Sequence, residues 1–304
     1  MEQITTFEQL VSHMQAEAKK NKIPRAAYIG LPDVQAVKMM AQASRDKIAK
    51  SIVLYNKEEC SQVLLEAEVD DLQLPVIHAD SIGDACAQAV KMLAGGQIEY
   101  LILGEKYIDA FDILAANGFV PHKRSACHVA VFEHEKYPRL LLLSDGFVTP
   151  APDLVGKMDI IGQAVGVAHR LGVETPKVAV TAAVEVVYPV MDVTKDAAVL
   201  AKMSDRRQIK GCIVDGPLSM DCATVPEVAK DKGVVSPVAG VADVLIAPNV
   251  ETGNGIYKAM SLVAKAKTAG VIVGGKCPVA LMANCDGPDN VYYSLALTSL
   301  LTLG

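Results

Sequence analysis

Short runs of β-branched and aliphatic residues recur along the whole chain, and each is followed by a longer stretch with helical spacing. This alternation constrains the fold more than any other feature of the sequence. The runs lie at 26–29, 51–54, 74–77, 100–103, 128–132, 139–143, 177–180, 211–214, 243–247, 271–273 and 279–281. Continuous apolar runs of this length suit strands covered on both faces. Helices are predicted at 6–20, 32–45, 81–93, 154–171, 194–207, 253–268 and 288–301. In the first of them Thr6 is placed as the N-cap, and Phe7, Leu10, Val11 and Met14 form one stripe. Gly95-Gly96 and Gly172 fall where helix C-caps belong. Strand–helix alternation over the whole chain predicts a doubly wound α/β architecture. In such sheets ligands bind beyond the carboxyl ends of the strands.

The chain has 304 residues, 51% of them hydrophobic. At roughly 100–200 residues per domain, two domains are expected. A charged content of 21% argues against wholesale disorder. The formal net charge of -6 and the lack of a basic stripe argue against a nucleic-acid partner. Lys19-Lys20-Asn21-Lys22 reads as a solvated helix end, whereas His122-Lys123-Arg124 reads either as an anion site or as a solvated turn. The N-terminus is polar and acidic, without a signal-peptide pattern. Every apolar run is far short of the roughly 20 residues that span a bilayer. The seven cysteines are scattered with no Cys-x-x-Cys. They are read as reduced thiols of a cytoplasmic protein, with no disulfide framework and no zinc ribbon.

The strand–carboxyl-end rule selects the segments 104–107, 144–152, 215–221, 248–254 and 282–290. Asp215-Gly216-Pro217-Leu218-Ser219-Met220-Asp221 is either a Gly-Pro turn with Asp221 capping the next helix, or a cleft loop offering N–H groups and a carboxylate. In 248–254, Gly253 would let a ligand approach the backbone, and Asn254 lies near a predicted helix start, where free N–H groups favour an anion. An ordinary Asn cap reads equally well. The Pro-fixed loop 144–152, which includes Thr149, could hold part of a substrate or serve as a hinge. Val273-Gly274-Gly275-Lys276-Cys277-Pro278 lacks the spacing of a phosphate-binding P-loop. No Gly-x-Gly-x-x-Gly opens a helix, and the six histidines form no His-x-x-x-His pair, so dinucleotide and zinc-hydrolase motifs are absent.

From about Leu140 onward, ordered motifs resemble the phosphate acetyl/butyryltransferase family. They include Leu141-Leu142-Leu143-Ser144-Asp145-Gly146, Ala151-Pro152-Asp153-Leu154 and Pro176-Lys177-Val178-Ala179-Val180. They continue with Ile209 to Leu218, Ser236 to Asp243, Pro248 to Ala259, Ala269 through Val279, and Tyr293-Ser294-Leu295-Ala296-Leu297. The first half matches more loosely, through 26–40 and 128–132. The resemblance implies two α/β domains around a deep cleft, in a fold of the isocitrate/isopropylmalate dehydrogenase kind. Domain I would comprise 1–138 plus 272–304, and domain II the inserted 139–271. It also implies a homodimer or higher homo-oligomer and transfer of an acyl group between CoA and phosphate. CoA would be a substrate, with no metal or bound cofactor.

The resemblance breaks at the segment that carries the family's chemistry. After Pro278-Val279, family members carry a Ser-Arg pair that binds phosphate and steadies the transition state; here Ala283-Asn284 stand there. Asn290 stands where acetyltransferases carry an aspartate proposed as base. Asp286 matches the aspartate of butyryltransferase-like members, and Asp289 an acidic position of theirs. The resemblance therefore makes Asp286, Asp289 and Asn290 the catalytic candidates. Asn284, Asn254, Gly253, Thr252, Arg124, Asp215 and Thr149 are the candidate substrate contacts. For Asp286-Gly287-Pro288-Asp289 a turn with a helix cap reads equally well. Lys106, Lys123 and Arg124 are the cations that could replace the missing arginine. Two readings follow: a butyryl-like phosphate acyltransferase, or a regulatory relative that binds acyl-CoA or acyl phosphate without turning it over. The absent Ser-Arg pair favours the second.

Overall fold

The computed structural model describes residues 2–70, 72–104, 107–121, 125–283 and 285–303. The chain begins with α1 (Phe7–Glu17), β1 (Arg25–Ile29), α2 (Val34–Arg45), β2 (Lys50–Tyr55), α3 (Lys57–Ala67), β3 (Val76–His78), α4 (Ile82–Ala94), β4 (Tyr100–Leu103) and α5 (Tyr107–Ala116). It continues through β5 (Cys127–Glu133), β6 (Leu141–Ser144), α6 (Leu154–Arg170), β7 (Lys177–Thr181), α7 (Asp192–Asp205), β8 (Ile213–Leu218), α8 (Met220–Thr224) and α9 (Pro226–Asp231). Next come β9 (Val244–Ile246), α10 (Val250–Lys258) with a π-turn at Ala259–Val263, then β10 (Lys267–Val273), β11 (Val279–Leu281) and α11 (Pro288–Thr302). Every expected apolar run overlaps a strand.

The chain divides into two compact units. The terminal unit is Phe7–Lys123 with Lys267–Gly304, and the inserted unit is Met1–Thr6 with Arg124–Ala266. These bounds differ from the domain bounds expected above at both crossings. The segment around β5 falls with the inserted unit because β5 pairs antiparallel with β6 through Ala130–Leu143 and Phe132–Leu141.

In the terminal unit the strands run β3-β2-β1-β4-β11-β10. The first five are parallel, and β10 is antiparallel to β11. The order reverses between β1 and β4, which makes the gap above those strands a topological switch point. In the inserted unit the order is β5-β6-β9-β7-β8, parallel from β6 onward. Strands such as β4 and β6 are buried at every position, as continuous apolar runs require. Helix α11 is buried from Leu295 to Leu300 and has no polar face. Its buried Ser294 and Thr298 hydroxyls are satisfied inside the protein: Ser294 Oγ donates to Asn290 O and accepts from Gly270 N, and Thr298 Oγ1 donates to Ser294 O. Cys60 and Cys86 are buried core fillers, and burial pushes their thiols up to about 11. Among the described residues no helix is long and apolar enough to cross a membrane.

Three expectations are corrected. The helix expected at 253–268 begins earlier, because Asn249 rather than Asn254 is the N-cap: its Oδ1 accepts from Thr252 N at 3.0 Å. It also ends earlier, since β-branched residues from Thr268 on belong to β10. The Gly216-Pro217 turn is instead part of β8, which runs on to Leu218 with a register shift against β7. Gly216 is required there because an added Cβ would stand 2.6 Å from Val180 O. Finally, α3, α5, α8 and α9 were not anticipated. Helix α3 buries only Cys60, Leu64 and Ala67, too thin a stripe to stand out.

Candidate active site

The terminal unit holds a cavity of about 250 Å³ at its switch point, lined by Tyr28, Asp33, Gln35, Ala36, Gly104, Met282, Ala283, Asp286 and Val291. Tyr28 comes from β1, Gly104 follows β4, and Met282-Ala283 follow β11, so three adjacent strands deliver their carboxyl ends here. Gly104 is glycine because the Tyr28 hydroxyl occupies the space a Cβ would need. Asp33 caps α2 by accepting from Ala36 N. Asp286 is 8% exposed. Its Oδ2 accepts from Ala283 N at 2.9 Å, and its own N–H donates to Ala283 O at 2.9 Å. The 283–286 turn is thus closed by the aspartate it carries. The turn reading and the functional reading of Asp286 hold together, since the carboxylate both closes the turn and lines the cavity.

The other two catalytic candidates go elsewhere. Asp289 is exposed in the first turn of α11 and lines a separate groove with Glu8, Gln42, Asp46, Tyr292 and Tyr293. Asn290 Oδ1 accepts from Thr268 N at 2.9 Å and so anchors the start of β10. Neither lines the cavity around Asp286. Asn284, Arg124, Lys106, Lys123 and His122 lie outside the described residues.

In the inserted unit, the loop after β6 is organised by Asp145, a buried carboxylate the sequence reading did not single out. It accepts from the backbone N–H groups of Phe147, Val148 and Thr149 at 2.8–3.1 Å. Burial raises its pKa against the pull of those donors. Beneath the loop, buried His128 packs edge-on to Phe147 and Tyr257, and burial pushes its imidazole down to about 3, leaving it neutral. Thr149 Oγ1 donates to Ala126 O at 2.9 Å, which is a structural engagement.

The start of α10 interlocks with this loop. Val250 N donates to Pro150 O, and Asn254 Nδ2 donates to Gly146 O at 3.0 Å. Gly253 does admit a close backbone neighbour, but the neighbour is the Asp145–Gly146 segment of the same unit: an added Cβ would collide with Asp145 O. Thr149, Thr252, Gly253 and Asn254 are therefore brought together, with Asn254 inside the helix rather than at its tip, and Thr252 exposed. Gly253→Ala should destabilise the protein by about 1–3 kcal/mol through overpacking. Gly255→Ala, with nothing near its added Cβ, should be neutral or stabilising by up to about 1 kcal/mol. Equal denaturation midpoints for the two variants would remove the interlock argument.

Asp215 is not on a loop. It lies within β8 opposite Ala179, and its Oδ1 accepts from Gly216 N at 2.8 Å. Asp221 joins Ser219, Glu185 and Lys232 in a surface cluster, where the Ser219 hydroxyl and Lys232 hold its carboxyl down at about 2. The strand rule bears on the missed residues. The strand rule applied after Ile29 selects Gly30-Leu31-Pro32-Asp33, at the rim of the cavity. Asp145, directly after β6, lies inside the segment 144–152 that the rule selects.

A buried carboxylate at the carboxyl ends of three strands can take or give a proton next to a bound group. At about 250 Å³ the cavity is below the roughly 300–1,000 Å³ usual for whole ligands, so it suits the reacting end of one. A family model described as phosphate acetyl/butaryl transferase matches residues 8–299. The chain is similar to the phosphate butyryltransferase of Clostridium acetobutylicum, 36% identical over 98% of each chain. It is also similar to the phosphate acetyltransferase of Thermotoga maritima, 37% identical over 93% of this chain and 97% of the relative. Among solved structures it is similar to a branched-chain phosphotransacylase from Enterococcus faecalis V583, with a TM-score of 0.79 and 26% identity over 92% of this chain and 99% of that one.

Proposed function

The chain belongs to the phosphate acetyl/butaryl transferase family, and we propose that it transfers a short-chain, butyryl-like acyl group between CoA and phosphate. The observation that carries this reading is the Asp286 carboxylate, buried at the rim of the switch-point cavity. Phosphate oxygen attacks the thioester carbonyl, and the tetrahedral oxyanion collapses with loss of the CoA thiolate. Asp286 takes the proton that phosphate gives up and returns it to the departing sulfur. Asn284 contacts the phosphate in this reading. CoA enters as a substrate, and no resident cofactor is required. The reading extends to a homodimer or larger homo-oligomer working in the cytoplasm. It also takes the two doubly wound units as a fold of the isocitrate/isopropylmalate dehydrogenase kind, supported by a parallel sheet with one antiparallel strand in each.

The test is CoA release from straight and branched short acyl-CoAs with phosphate present, and with arsenate in its place to make turnover irreversible. Butyryl-CoA and its branched analogues should be consumed faster than acetyl-CoA. Absence of phosphate-dependent release with every acyl-CoA would sink the reading.

A further inference from the structure

We propose that Gln35 is the positioning residue that holds the Asp286 carboxylate in register for acyl transfer; this rests on the reading of Asp286 as the proton carrier. The two hydrogen bonds between Ala283 and Asp286 set the shape of the turn, but both lie within it and cannot fix its place against the sheet. Met282 N donates to Leu103 O just before the turn, and a side chain of α2 reaches the turn itself. Gln35 Nε2 donates to Asp286 O at 2.9 Å, across 251 residues of sequence. Gln35 sits in the first turn of α2, whose start is itself fixed by the Asp33 cap. Helix α2 packs along α11, which begins two residues after Asp286. Gln35 also lines the same cavity as Asp286, so it braces the turn from the side on which the reacting groups must lie. A strut of this kind matters because a misplacement of about 1 Å can cost on the order of 10²-fold in rate.

Two substitutions separate bracing from packing. Gln35→Met keeps the length and volume of the side chain and removes the donor, whereas Gln35→Ala removes both. Both should lower kcat by about tenfold or more, with KM for acyl-CoA and phosphate and the melting temperature unchanged. Since Gln35 acts through Asp286, Gln35→Met should add no further loss in an Asp286→Asn background. Wild-type kcat in Gln35→Met, together with loss in Asp286→Asn, would overturn the Gln35 proposal alone. Full activity in Asp286→Asn would overturn the proton-carrier reading and the role of Gln35 with it. A lowered melting temperature and raised KM in Gln35→Ala, with Gln35→Met like wild type, would reduce Gln35 to a packing residue.

Discussion

Asp286→Asn should lower phosphate-dependent CoA release by about 10²–10⁴-fold, the range general acid–base groups contribute. The amide is nearly isosteric, and its oxygen can still accept from Ala283 N, so the turn at 283–286 should survive. What the amide cannot do is accept a proton from phosphate or hand one to the leaving sulfur. The loss should therefore fall on kcat, with KM little altered. Asp289→Asn is the comparison that makes the result specific. Asp289 is only three residues away in sequence but is exposed and faces the groove lined by Tyr292 and Tyr293, so its substitution should cost far less. If Asp289→Asn is the more damaging of the two, the acid and base assignment moves to that groove and the cavity loses its claim.

Ala283→Ser combined with Asn284→Arg should raise phosphate-dependent transfer by at least about tenfold, given that a single well-placed oxyanion donor contributes about 10²–10³ in rate. Ala283 lines the cavity, and its N–H is already committed to Asp286. A serine hydroxyl there would be a new donor rather than a replacement for one. Arginine would add a planar fork able to hold phosphate through two parallel hydrogen bonds, which asparagine cannot match. The expected gain is set below the value of either contact because neighbouring side chains have not been shaped to support the pair. The measurement is the initial rate with butyryl-CoA at saturating phosphate. A double variant slower than an already active wild type would place Ala283 and Asn284 in a different arrangement, and Lys106, Lys123 and Arg124 would become the cations to substitute next.

How far the sequence could be read depended on where each signal is written. Strands buried on both faces leave continuous apolar runs, so β1, β4 and β11 were legible almost to the residue. Helix α3 was not, since a mostly exposed helix needs only a few apolar contacts and leaves a faint stripe. At α10 the sequence carries both Asn249 and Asn254, and only Asn254 is read as a cap. The structure chose Asn249, whose next turn carries Glu251, where a negative charge is favoured at a helix start. Gly253 was legible as a point of close approach, but not that the approaching group is the backbone of Asp145. Asp286 could be found because it follows a strand. Gln35 could not be linked to it, because that link is a single hydrogen bond between remote segments and leaves no local pattern.

The strand order of the terminal unit also dictates a schedule. Its central strand β4 is flanked by β1 and β11, and β11 is assembled from Val279–Leu281, near the end of the chain. During synthesis the strands β1 to β4 emerge early but must wait for almost all the remaining residues before the sheet can close. Until then Tyr100–Leu103, wholly buried in the finished fold, presents an unpaired apolar edge of the kind that invites association with other chains. The strands of the inserted unit all lie between Cys127 and Ile246, so they are complete while the terminal unit is still open. A ribosome that stops before Val279 would release a chain with one sheet finished and the other held open at its centre. Such truncated chains should accumulate as aggregates rather than as partly active enzyme.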